Sequence, residues 1–114
     1  MIKNEAFYFD SLAVAETLQE LIKKGLGAEF VEVKDESEKH TDHAGARQTG
    51  GGHFSALIIA EAFEKKDRIE RHQIVYRILS AYLESHIHAF RMRTLTPGVW
   101  LMFTDNEKKA ARDG

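Results

Sequence analysis

The stretch that most constrains the fold is Phe54–Ala60, a nearly unbroken apolar run in a chain of which 30% is charged. It is rich in β-branched and aliphatic residues, as suits a central strand covered on both faces. Two flanking segments supply its neighbours. In Phe30–Asp35, Val31 and Val33 alternate with Glu32 and Lys34; in Ala89–Leu95, Phe90 and Met92 alternate with Arg91 and Arg93. Both patterns predict half-buried strands. Upstream, Val14, Leu18, Leu21 and Ile22 form one apolar stripe at helical spacing, beginning after an N-cap at Asp10 or Ser11 and stopped by Gly25 and Gly27. Residues 61–67 read as a turn or short helix. Residues 68–85 read as one long helix that buries Val75, Ile78, Leu79 and Tyr82. A helical crossover between the second and third strands makes them parallel. Thr96-Pro97 opens a last helical turn carrying Trp100, Leu101 and Phe103. The expected architecture is α+β: αββααβ, a three-stranded mixed sheet with helices packed on one face. One domain spans residues 1–103, with its core at 11–100, and residues 104–114 are expected to be a flexible charged tail.

Charge and composition narrow the function classes. The 16 basic and 18 acidic residues give a formal charge of −2, which argues against nucleic-acid binding by bulk electrostatics. There is no cysteine, so disulfides, a thiol nucleophile, a CxxC redox pair and a zinc ribbon are excluded. Any metal or cluster must be held by histidine, carboxylates or another molecule's thiolates. No run approaches the ~18 apolar residues that span a bilayer. The first residues do not read as a secretory signal, since Glu5 and Asp10 interrupt them. The expected location is the cytoplasm, with an organellar matrix left open.

The candidate chemistry lies in the six histidines. His40 and His43 form an H-x2-H pair in the long polar, glycine-rich loop 36–53, and His53 ends that loop. His72 lies on the edge of the buried stripe of the second long helix, held by its neighbours yet able to reach solvent. His86 and His88 flank the last strand. No nucleophile elbow and no GxxxxGK[ST] phosphate loop is present. Gly50-Gly51-Gly52 precedes a strand, so it reads as loop slack rather than a phosphate cradle. The basic residues Lys65, Lys66, Arg68, Arg71, Arg91 and Arg93 read first as solvated surface, with a basic face as the alternative.

Together these residues resemble the BolA-like family. The stretches His53-Phe54, Ala62-Phe63-Glu64-Lys65-Lys66 and Arg71-His72-Gln73-Ile74-Val75-Tyr76 are similar to its strand, F-E-G-K and R-H-R-x-V-Y signature. Asp35-Glu36-Ser37-Glu38-Lys39-His40 and His43-Ala44-Gly45 resemble its D-E-S-x-x-H and H-A-G loop. Ile87-His88-Ala89 and Leu95-Thr96-Pro97 with Trp100 resemble its ending. The likeness covers roughly residues 11–100 in the right order.

The resemblance implies a type II KH-like fold and a non-enzymatic role. The implied partner is a monothiol glutaredoxin sharing a [2Fe-2S] cluster with glutathione, in iron–sulfur trafficking or iron and redox regulation. The isolated protein would bind none, and would be a monomer or weak homodimer. By position His72 matches the family's helix ligand and His40 its loop ligand, with His43 a rival; His53 and His88 read as structural. Arg71, Gln73, Lys66 and Arg68 would contact the partner. Imidazole in place of thiolate makes such a cluster less anionic and easier to reduce. Lys65 stands where the family has glycine, Gln73 where it has a second arginine, and Gly98-Val99 where it has a more polar pair. The alternative implied function is a nucleic-acid-binding transcription regulator, using Lys65, Lys66, Arg91 and Arg93. The turn Glu64-Lys65-Lys66-Asp67-Arg68 lacks the glycine of a GXXG clamp.

Overall fold

The computed structural model describes residues 11–37 and 52–113. His40 and His43 lie outside the described residues. The elements run α1 (Ser11–Leu26), β1 (Phe30–Asp35), β2 (Gly52–Ile59), a 3-10 turn (Glu61–Phe63), α2 (Arg68–Ile78), α3 (Ser80–Leu83), β3 (Ile87–Leu95), α4 (Pro97–Leu101) and α5 (Asp105–Asp113). The sheet order is β1-β2-β3, with β1 and β2 antiparallel and β2 and β3 parallel. Phe54–Ala60 thus lies at the centre, as its composition requires. Among the described residues no helix is long and apolar enough to cross a membrane.

Strand register sorts the side chains. Val31 pairs with Ile58, and Val33 with Ala56, while Phe54 and Ala56 lie beside Phe90 and Met92. These residues form the first face, which packs against Leu18 and Ile22 of α1, Phe63, Val75 of α2 and Leu79 at its C-cap. That cluster is the hydrophobic core. Leu18, Ile22, Ile58, Phe63, Val75 and Leu79 are completely buried.

Local chemistry sets the helix ends. α1 runs through Gly25 and ends at Gly27, whose φ of 63° is the left-handed cap conformation. The Ala28 N–H then reaches back to the Lys23 carbonyl at 3.2 Å. Gly25 has a different task, because a Cβ there would stand 2.8 Å from the end of Ile78. The absent side chain lets α1 approach α2. The expected single helix over 68–85 is two helices: the Leu79 N–H still closes a regular bond to the Val75 carbonyl at 3.0 Å, but Leu79 has a ψ of 9° and its own carbonyl accepts the Tyr82 N–H, three residues on, at 2.8 Å. Gln19 of α1 accepts the Val33 N–H at 3.0 Å and so covers part of the edge strand β1.

The second face follows a different logic. Its rows across the sheet are Phe30, Ile59 and Leu95; Glu32, Leu57 and Arg93; and Lys34, Ser55 and Arg91. Leu57 and Ile59 are only 3% and 2% exposed although they stand outside the main core. Residues 104–114, expected to be a flexible tail, contain α5, and α5 lies over this face. The Arg112 guanidinium sits 5.4 Å above the Phe30 ring, the Lys34 ammonium donates to the Arg112 carbonyl, and Ala111 is buried. At the start of α5 the Thr104 hydroxyl accepts the Glu107 N–H while the Glu107 carboxylate accepts the Thr104 N–H. This reciprocal cap stabilises a short charged helix whose apolar contribution is small. Helices therefore occupy both faces of the sheet, with the long ones confined to the first.

Candidate functional site: the outer face of α2

The outer face of α2 starts from a well-made N-terminus. The Asp67 carboxylate accepts the Glu70 N–H at 2.8 Å and the Glu70 carboxylate accepts the Asp67 N–H at 2.9 Å. Both halves of the capping box are present, and such a cap contributes about 1 kcal/mol. Just before it, Lys65 has a φ of 63°. The turn keeps a left-handed residue at the position where the family signature has glycine. With a side chain there, that conformation costs about 1 kcal/mol.

Val75 on the inner side of α2 and Leu79 at its C-cap are buried in the core and fix the rotation of the helix. The outer side then carries Ile69, His72, Gln73 and Tyr76, which recur at i, i+3, i+4 and i+7. His72 is partly buried, and its ring stands edge-on to the Tyr76 ring, with centroids 6.5 Å apart and an interplanar angle of 89°. Burial, with a smaller contribution from the Arg68 guanidinium one turn earlier, lowers its pKa below the ordinary imidazole value of 6.5. His72 is therefore neutral at physiological pH. Neutral imidazole is the form whose ring nitrogen has a lone pair for a metal.

Ile69 is 69% exposed and Tyr76 37%, so His72 sits between two apolar side chains that reach solvent. The sequence reading missed both as site residues. The signal was available, because Ile69 is out of phase with the stripe of Val75, Ile78 and Leu79, and an apolar residue outside the buried stripe has another use.

The other candidates separate into groups. Gln73 and Arg68 are exposed on the same helix, and Lys66 is exposed in the preceding turn. Arg71 is turned inward. Its Nε donates to the Lys66 carbonyl at 2.8 Å, another guanidinium nitrogen donates to the Thr94 carbonyl at 3.1 Å, and the group lies 5.6 Å from the Phe63 ring centroid. This arginine ties the start of α2 to β3. Arg91 and Arg93 stand on the second face of the sheet, Arg91 at 3.4 Å from the Glu36 carboxylate and Arg93 over the Phe103 ring. His53 and His88 meet ring to ring, with centroids 4.8 Å apart, at the end of the sheet where the loop after Ser37 rejoins β2. Among the described residues no three histidine or carboxylate side chains converge as a metal site.

The outer face of α2 thus displays a partly buried imidazole between the exposed side chains of Ile69 and Tyr76. Comparison with known proteins identifies the family. The family model described as BolA-like protein matches residues 22–98. The chain belongs to the BolA-like family. Human BolA-like protein 2 is 36% identical over 86 residues, covering 75% of this chain and 88% of the relative. The Haemophilus influenzae protein named DNA-binding transcriptional regulator BolA is 26% identical over 89 residues, covering 78% and 82%. The SufE-like protein 1 of Arabidopsis thaliana, chloroplastic/mitochondrial, is 33% identical over 84 residues; these are 70% of this chain but only 23% of that relative. The solved BolA domain of Arabidopsis SufE1 superimposes with a TM-score of 0.66 at 30% identity, over 76% of this chain and 95% of the domain. The match indicates no catalytic family. All of α5 lies beyond the matched residues.

Proposed function

We propose that this protein is a non-enzymatic partner of a monothiol glutaredoxin. The two proteins share a [2Fe-2S] cluster in iron–sulfur trafficking or iron and redox regulation, in the cytoplasm or an organelle. The observation that carries this reading is His72, a neutral, partly exposed imidazole on a capped helix, flanked by Ile69 and Tyr76. His72 suits one ligand position on iron, and with no cysteine in the chain the thiolates must come from the glutaredoxin and glutathione. His40, with His43 as its rival, would supply the second ligand from the loop. When bound, the cluster supplies reversible one-electron chemistry. The chain's own part is to present an imidazole in its ligand form and to dock the partner on Ile69, Gln73 and Tyr76.

Mixing the protein with glutathione-loaded holo-glutaredoxin and recording visible absorption and circular dichroism tests this. The wild type changes the spectrum, and His72→Ala changes it far less. An unchanged spectrum with the wild type, or equal changes with both proteins, refutes the assignment.

A second reading, sequence-discriminating DNA binding, is favoured by the name of the Haemophilus relative. It predicts affinities for duplexes that differ between sequences and fall with added salt. Equal weak binding to every duplex counts against it.

A further inference from the structure

On the far side of the sheet from α2, the second face and α5 enclose an open cleft of about 200 Å³. Its lining includes the cationic side chains of Lys34, Arg91, Arg93 and Arg112, with Glu32 and Ser55 among them. In a chain of formal charge −2 this is a local excess of positive charge. The cations are held in place. Arg93 lies over Phe103 and Arg112 over Phe30, at 5.5 and 5.4 Å. Lys34 is tethered to the Arg112 carbonyl, and Arg91 to Glu36 at 3.4 Å. A guanidinium attracted to a ring keeps its N–H donors, which an anion can use. Among the described residues neither Arg93 nor Arg112 is paired with a carboxylate.

Glu32 adds a second observation. Its Oε1 is buried and has no hydrogen-bond partner among the described residues. A buried carboxylate oxygen left unsatisfied is costly, and Glu32 is the carboxylate among the residues that line the cleft. The cleft therefore offers cationic donors for an anion together with an acceptor for an N–H or O–H. Its volume is below the roughly 300–1,000 Å³ of sites that hold drug-sized ligands, so the ligand is small.

We propose that this cleft binds a small phosphorylated zwitterion. The phosphoryl group lies among Lys34, Arg91, Arg93 and Arg112, and the ligand's ammonium group donates to Glu32. The site is independent of His72, since it uses the opposite face of the sheet and a helix beyond the residues that match the family.

The test is titration of the full chain with O-phosphoserine, inorganic phosphate and sodium chloride at matched ionic strength. The single tryptophan, Trp100, is a built-in reporter because Lys108 of α5 lies 5.4 Å from its ring centroid. Phosphoserine is expected to saturate the fluorescence change at least fivefold more tightly than phosphate, and chloride to give no saturation. Arg93→Gln with Arg112→Gln weakens both ligands more than tenfold, whereas Lys23→Ala with Lys24→Ala on α1 leaves both unchanged. Glu32→Gln tightens phosphate and removes the preference for phosphoserine, a gain that a misfolded variant cannot mimic. Equal affinity for the two ligands in the wild type, or affinities indifferent to the arginine pair, would overturn the proposal. So would a fluorescence response reproduced by chloride.

Discussion

The two faces of the sheet are held by different means. On the first, Val31, Val33, Phe54, Ala56 and Ile58 meet Leu18, Ile22, Val75 and Leu79 in a continuous apolar core. On the second, two buried aliphatic residues, Leu57 and Ile59, share the surface with Glu32, Lys34, Arg91 and Arg93 under a nine-residue helix. Burial of large side chains dominates the first face, at roughly 25 cal/mol per Å² removed from water. Cation–π contacts and a capping box hold the second, each worth about a kilocalorie or less in exposed positions. The first face therefore fixes the place of α2 and of His72 on it, while the second leaves an open cleft beside α5.

The largest expected effect comes from cutting the first face. Leu18→Ala or Ile22→Ala should lower the unfolding free energy by about 3 kcal/mol in chemical denaturation, through lost burial and the cavity left behind. Arg112→Ala on the second face should cost less than about 1 kcal/mol. Similar losses from the two substitutions would break the comparison. Asp67→Ala, which removes half of the box at the start of α2, should cost about 1 kcal/mol. Lys65→Gly should act in the opposite direction and stabilise by up to about 1 kcal/mol, since glycine adopts the positive φ without penalty.

The smallest effect is a pH dependence at His72. Its folded pKa lies below the ordinary value of 6.5, so the unfolded chain binds the proton more readily than the folded one. Its contribution to stability is complete above about pH 6.5 and is lost as the pH falls toward the folded midpoint. The ring resonances of His72 in the free protein should titrate with a midpoint below 6.5. A midpoint above that value would mean that burial and Arg68 do not govern the group.

The first face was legible because its information is a pattern. Alternation in Phe30–Asp35 marked β1, and the apolar run and helical crossover marked β2 and its parallel neighbour. His72 could be placed from its spacing to Val75 and Leu79. Periodicity could not show the break at Leu79, because Tyr82 continues the stripe while the backbone bonds change. Nor could it separate the roles of Gly25 and Gly27, which depend on the closeness of Ile78 and on a left-handed φ. The second face was misread for a physical reason. In α5 only Ala110 and Ala111 are apolar, so the segment looked like a solvated tail. The readable clue was Thr104-Asp105-Asn106-Glu107, a capping-box sequence. The covering of both faces of Phe54–Ala60 was itself implied by that apolar run.

The claim that the first face exists to present His72 to a glutaredoxin-held cluster is tested most directly by one measurement. Holo-glutaredoxin is titrated with the wild-type protein and with His72→Ala while the visible circular dichroism is recorded, after both proteins are shown to unfold at the same denaturant midpoint. The account predicts a saturating spectral change with the wild type that His72→Ala largely abolishes. The same change with both proteins, or none with either, would contradict it.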